Sequence, residues 1–113
     1  MSDAVMQACI EECQRCATVC AQTLHDCLEK GGKHVAAAHV IALVDCAEIC
    51  RTSASFLSRG SERHAATCRA CAEICRACEA SCCSMGDDKM MQECAEACRR
   101  CAESCEKMAG KAA

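Results

Sequence analysis

The stretch Cys68-Arg69-Ala70-Cys71-Ala72-Glu73-Ile74-Cys75-Arg76-Ala77-Cys78-Glu79-Ala80-Ser81-Cys82 decides the fold of this chain. Its five cysteines are spaced 3, 4, 3 and 4, the step of an α-helix that buries one face. Upstream, Cys9, Cys13, Cys16, Cys20 and Cys27 are spaced 4, 3, 4 and 7. At ~100° per residue they fall within about 40° of one line. Downstream, Cys94, Cys98, Cys101 and Cys105 repeat the pattern at 4, 3 and 4, while Cys46 and Cys50 share a stripe with His39, Leu43 and Leu57. Cysteine thus holds most of the a/d positions that leucine takes in an ordinary bundle. A C-x-[RA]-C-[AE] unit recurs at Cys13, Cys68, Cys75 and Cys98, and the pairs Arg69/Glu73 and Glu96/Arg100 lie at i,i+4 on the opposite, solvated side.

Glycine marks the breaks. Gly31-Gly32, Gly60-Ser61 and Met85-Gly86-Asp87-Asp88 separate four segments, about 3–29, 34–58, 61–85 and 88–109. Ser2 or Asp3, Ser61, and Asp87 or Asp88 are placed to cap the helices that follow. Four helices of similar length with short connections predict an all-α fold, an antiparallel up-down four-helix bundle with a cysteine-lined core. The whole of 1–113 is expected to form one domain.

Of 113 residues, 17 are cysteine and one is aromatic, Phe56. Proline, tryptophan and tyrosine are absent, so a core of large rings and a proline-marked β fold are excluded. A formal charge of −3 advertises neither a nucleic-acid nor an anionic-membrane partner, and no apolar run is long enough to span a bilayer. The opening Met1-Ser2-Asp3-Ala4-Val5 has no secretory pattern. An odd cysteine count on loop-poor helices also disfavours a disulfide scaffold, so a cytoplasmic protein with reduced thiols is expected.

Cysteine can serve as a small core hydrophobe, but at this density the substitution gives up roughly 1–2 kcal/mol of burial per position. Over a dozen positions this rivals the stability of a whole domain, about 5–15 kcal/mol. Something bound to the sulfurs is therefore expected. Classical zinc knuckles present four isolated ligands, whereas these C-x-x-C and C-x-x-x-C pairs merge into ladders that suit a soft ion of low coordination number, Cu(I). Charge balance agrees. Four Zn²⁺ among sixteen thiolates would leave about −8 in the core, whereas one Cu⁺ per thiolate leaves it near neutral. Roughly 15–20 Cu(I) ions per chain are expected from thiolate softness and charge balance. An iron–sulfur cluster needs four ligands converging on one point, and these are spread along a tube.

The candidate ligands are Cys9, Cys13, Cys16, Cys20, Cys27, Cys46, Cys50, Cys68, Cys71, Cys75, Cys78, Cys82, Cys83, Cys94, Cys98, Cys101 and Cys105, with Cys83 at the edge of its stripe. Antiparallel connectivity gathers His39, Met85, Met90 and Met91 at the Cys27 end, with His39, Met90 and Met91 inward. It gathers Met6, Leu57, His64 and Met108 at the other end, and turns His25 and His34 toward the surface. The weaker imidazole and thioether ligands His39, Met90 and Met91 are expected to form the mouth through which ions reach the deeper sulfurs.

The cysteine stripes on all four helices, the C-x-x-x-C and C-x-x-C ladders and the missing secretory signal resemble the cytosolic bacterial copper storage protein (Csp) family over essentially the whole chain. The resemblance implies a bundle filled with Cu(I)-thiolate sites, assembled as a homotetramer, that stores copper and protects against its toxicity. It departs at the second helix, where Leu43 and Leu57 take stripe positions. No nucleophile–base pair or inward carboxylate pair is present, so no enzyme activity is expected. The alternatives are a metallothionein-like buffer for zinc or toxic metals and, behind it, a thiol redox protein. Copper ions would be the partners, exchanged with small thiols or a copper chaperone.

Overall fold

The computed structural model describes residues 4–110, which form α1 (Ala4–Lys30), α2 (Ala37–Ser58), α3 (His64–Cys83) and α4 (Lys89–Ala109), with a 3₁₀ turn over Gly32–Val35. Ser2 and Asp3 lie outside the described residues. Each helix packs on its two chain neighbours, with α4 closing back on α1, while the diagonal pairs α1/α3 and α2/α4 stay apart. The expected antiparallel four-helix bundle is therefore present, as a rod of 45 × 19 × 17 Å. No described helix is long and apolar enough to cross a membrane.

Two helices begin three residues later than the sequence pattern predicts. Gly31 and Gly32 both take positive φ, and the 3₁₀ turn then leads into an extended Ala36, so α2 starts at Ala37 rather than at 34. After Ser58 the chain reverses through Gly60 at φ 67°, where Ser61 N–H donates to the Phe56 carbonyl at 3.0 Å. That positive φ favours glycine. The Ser61 hydroxyl accepts from Arg63 N–H at 3.1 Å, so it caps the turn that precedes α3 and not the helix itself. At α4, Asp88 is the N-cap, accepting from Met91 N–H at 3.2 Å.

Asp88 also ties the loops at this end together. Its carboxylate meets Lys30 Nζ at 2.6 Å and His34 Nε2 at 3.0 Å, so His34 is half-buried against Asp88, whereas His25 is exposed. Between helices, Arg100 pairs with Glu12 at 2.9 Å and Arg76 with Glu106 at 3.1 Å. Such exposed pairs contribute little each. The bundle is held by its interior, where alanines flank the cysteines and four larger side chains, Leu43, Leu57, Met91 and Met108, are fully buried.

Candidate metal centre

The stripes of the four helices meet on the bundle axis. Sixteen cysteines are buried and carry free thiols; Cys83 alone is exposed. Sulfurs bridge neighbouring helices, as in Cys16–Cys46 at 3.7 Å, Cys46–Cys75 at 3.6 Å and Cys20–Cys94 at 3.8 Å. They also bridge the diagonal between α2 and α4, with Cys46–Cys98 at 3.9 Å and Cys50–Cys101 at 3.7 Å. Small side chains in the middle layers allow the helices to bring sulfur into contact across the axis.

Four-sulfur groups recur along the tube, every sulfur in each within 4.8 Å of the others. Cys13/Cys71/Cys101/Cys105 shares Cys71 and Cys101 with Cys50/Cys71/Cys75/Cys101, which shares Cys50 and Cys75 with Cys16/Cys46/Cys50/Cys75. That group shares Cys16 and Cys46 with Cys16/Cys20/Cys46/Cys98, which shares Cys20 and Cys98 with Cys20/Cys78/Cys94/Cys98. Each step keeps two sulfurs and exchanges two. Metal–sulfur bonds of about 2.3 Å give sulfur–sulfur edges of about 3.8 Å in a tetrahedron and about 4.0 Å in a trigonal plane, so the observed spacing fits soft-metal coordination without rearrangement of the helices.

Protons are shared along the same network. The Cys94 thiol is held below its ordinary range because Cys20, Cys78, Cys82 and Cys98 donate to it. Cys82 is pushed up by its bonds to Cys78 and Cys94 and by burial, and burial raises Cys27, with the charges of Asp26 and Asp88 adding to the effect. A dry core cannot hold many bare thiolates, so ionisation of the set requires a cation on the sulfurs.

At the Cys27 end the ladder changes composition. Cys27 Sγ lies 3.5 Å from His39 Nε2 and 3.9 Å from Met91 Sδ, with all three residues buried. His39 Nδ1 is 2.7 Å from the Ser81 hydroxyl, which fixes the ring and leaves Nε2 facing the thiol. Burial lowers the His39 pKa and keeps the imidazole neutral, the form that binds metal. Met90 does not join this group. It is half-buried and lines a surface depression of about 550 Å³ with Lys30, Asp88, Lys89 and Glu93. Cys83 faces outward beside Glu79 and Arg99.

Two stripe residues escape a reading that follows only cysteine. Thr23 falls between Cys20 and Cys27, and Ser53 follows Cys50, both at the same 3–4 spacing, and both are fully buried. The Ser53 hydroxyl is 3.5 Å from Cys68 Sγ, whereas Thr23 turns its hydroxyl back to the Val19 carbonyl at 2.7 Å. The uninterrupted helical period was the signal that marks them.

A bundle whose axis is a continuous column of thiols defines a class of metal-holding proteins. Residues 2–110 match the model of the copper storage protein family, Csp, and the chain belongs to that family. A protein of Nitrosospira multiformis has the same fold with a TM-score of 0.89 at 46% identity, over 96% of this chain and 97% of that one. The Cu(I)-bound copper storage protein BsCsp3 of Bacillus subtilis gives 0.87 at 34% identity, over 94% and 99%. A cytosolic copper storage protein of Streptomyces lividans, loaded with five coppers, gives 0.85 at 34% identity, over 96% and 95%.

Proposed function

We propose that this chain is a cytosolic store for Cu(I), filling its axis with ions bound by the sixteen buried cysteines and performing no catalysis. The observation that carries this reading is the sharing of sulfur pairs between successive four-sulfur groups. Shared thiolates bridge ions, and bridging packs more metal per sulfur than separate sites can. Each thiol surrenders its proton as its sulfur binds copper, so about one proton leaves per Cu⁺ and the buried column stays neutral. Family membership and the copper-loaded relatives support the choice of metal.

Cys27, His39 and Met91 form the mouth in this reading. Imidazole and thioether release Cu(I) more readily than thiolate and so pass ions inward. The other mouth candidate, Met90, sits outside this ligand group. Exchange with small thiols or a copper chaperone would supply and remove the cargo. Assembly as a homotetramer is supported by the exposed apolar side chains Leu28, Val35, Ile41 and Val44, with Val5 a fifth at the start of α1.

One observation favours a zinc buffer instead. Three of the four-sulfur groups, Cys13/Cys71/Cys101/Cys105, Cys16/Cys46/Cys50/Cys75 and Cys20/Cys78/Cys94/Cys98, share no residue and offer three separate tetrahedral sites. Anaerobic loading of the reduced, metal-free protein with Cu(I), and with Zn(II) in parallel, separates the two readings by native mass spectrometry. A plateau near roughly 15–20 Cu(I) is expected from thiolate softness and neutrality. A plateau of three or four ions that only zinc reaches would overturn the storage reading.

A further inference from the structure

The end of the tube remote from Cys27 contains an imidazole with one ring nitrogen unpartnered among the described residues. His64 is 8% exposed, and its Nε2 is fully buried with no hydrogen-bond partner among the described residues. Its Nδ1 is 3.0 Å from the Ser61 carbonyl. A carbonyl only accepts, so Nδ1 carries the proton and Nε2 presents a bare lone pair. A backbone carbonyl fixing the tautomer while the other nitrogen is left free is the arrangement found behind metal-binding histidines. Left unsatisfied, such a buried polar atom is costly, and each one in a native fold calls for a partner.

The surroundings offer soft ligands. His64 stands four residues before Cys68, one helical turn beyond it on the centre line of the α3 stripe. Met108 stands three residues beyond Cys105 in α4 and is fully buried. Cys68 interacts with Cys105 and Cys9, so these three thiols form the last sulfur layer, with His64 and Met108 each one turn further out on adjacent helices. Cys68 also has the Ser53 hydroxyl as a neighbour, at 3.5 Å.

We propose that this end holds a terminal Cu(I) site, with the Cys68 thiolate as its charged ligand and His64 Nε2 and the Met108 thioether as neutral ones. One thiolate and one Cu⁺ cancel, and two uncharged ligands complete the coordination without adding charge to a buried place. The site rests on the copper-storage reading and extends it: the column ends in a mixed-ligand ion at both ends, and not only at the mouth.

The test is anaerobic Cu(I) loading of the wild type, His64→Ala and Met108→Leu, with ions counted by native mass spectrometry. Long-range ¹H–¹⁵N spectra of the histidine rings follow the wild type. His64→Ala is expected to plateau one ion lower. Met108→Leu, which preserves packing, should lose one ion first to a Cu(I) chelator, and the His64 Nε2 resonance should move on loading. An unchanged plateau together with a His64 ring unaffected by copper overturns the site. Should His64→Ala not fold, the wild-type ring signal and Met108→Leu decide. Failure of the wild type to take up a long series of Cu(I) would instead sink the storage reading.

Discussion

The two ends of the rod are built from the same ligand types in different settings. At one, Cys27, His39 and Met91 already touch, with the Ser81 hydroxyl behind the imidazole, beneath loops gathered around Asp88. At the other, His64 is fixed by its own turn and its free nitrogen has no hydrogen-bonding partner among the described residues, while Leu57 and Met108 are fully buried. A thiol of the first end sits within reach of weaker ligands beneath a loop, whereas the second end closes with apolar bulk. The contrast teaches that His and Met at a bundle end can serve passage or closure. What sits between them and the solvent decides which.

The largest expected effect tests closure. In the metal-free protein, Leu57→Ala at the far end and Leu43→Ala in the mouth half should each cost about 2–5 kcal/mol, read by urea unfolding. A small loss at Leu57 alone would show that the far end is open. Next comes passage. His39→Ala should slow initial Cu(I) uptake about tenfold, the scale of a lost metal-site interaction, while His64→Ala leaves the initial rate unchanged. Stopped-flow mixing measures both, and the reverse pattern would move the mouth to the other end.

A smaller effect concerns the strap. Lys30, the Met91 amide and His34 hold the Asp88 carboxylate well below its usual range. Its stabilisation is therefore present above the unfolded carboxylate pKa of about 3.9 and is lost as the pH falls below it. Asp88→Ala should cost about 1 kcal/mol at neutral pH, the value of a lost N-cap, and the difference from wild type should shrink in acid. Denaturation at pH 7 and near pH 2 checks the sign. Smallest of all, Cys83→Ser should leave the copper count unchanged and the stability within about 0.5 kcal/mol, as for a surface substitution. A lower count would place Cys83 among the ligands.

The bundle was legible because cysteine followed the helical period without a break on α3 and α4 and with one gap, at Thr23, on α1, and the glycines marked the reversals. The meeting of Cys27 with His39 followed from antiparallel connectivity. The choice between Met90 and Met91 did not. At ~100° per residue they fall about 50° to either side of the α4 stripe, and only packing turns Met91 inward. The start of α2 was hidden for another reason: Gly31 and Gly32 both adopt positive φ, so the chain spends the next residues in a 3₁₀ turn that helix propensity does not reveal. Thr23 and Ser53 were overlooked because their positions, rather than their chemistry, make them part of the column.

The overlap of the four-sulfur groups bears on traffic as well as capacity. An ion moving from one group to the next keeps two of its sulfurs while it trades the other two. In the proposed store it would therefore pass from the Cys13 group to the Cys78 group as a relay, held by sulfur at every step. A column filled through one mouth behaves as a stack: the earliest ions are pushed deepest and the latest leave first. The order of filling and release is then written in the sequence of its cysteines.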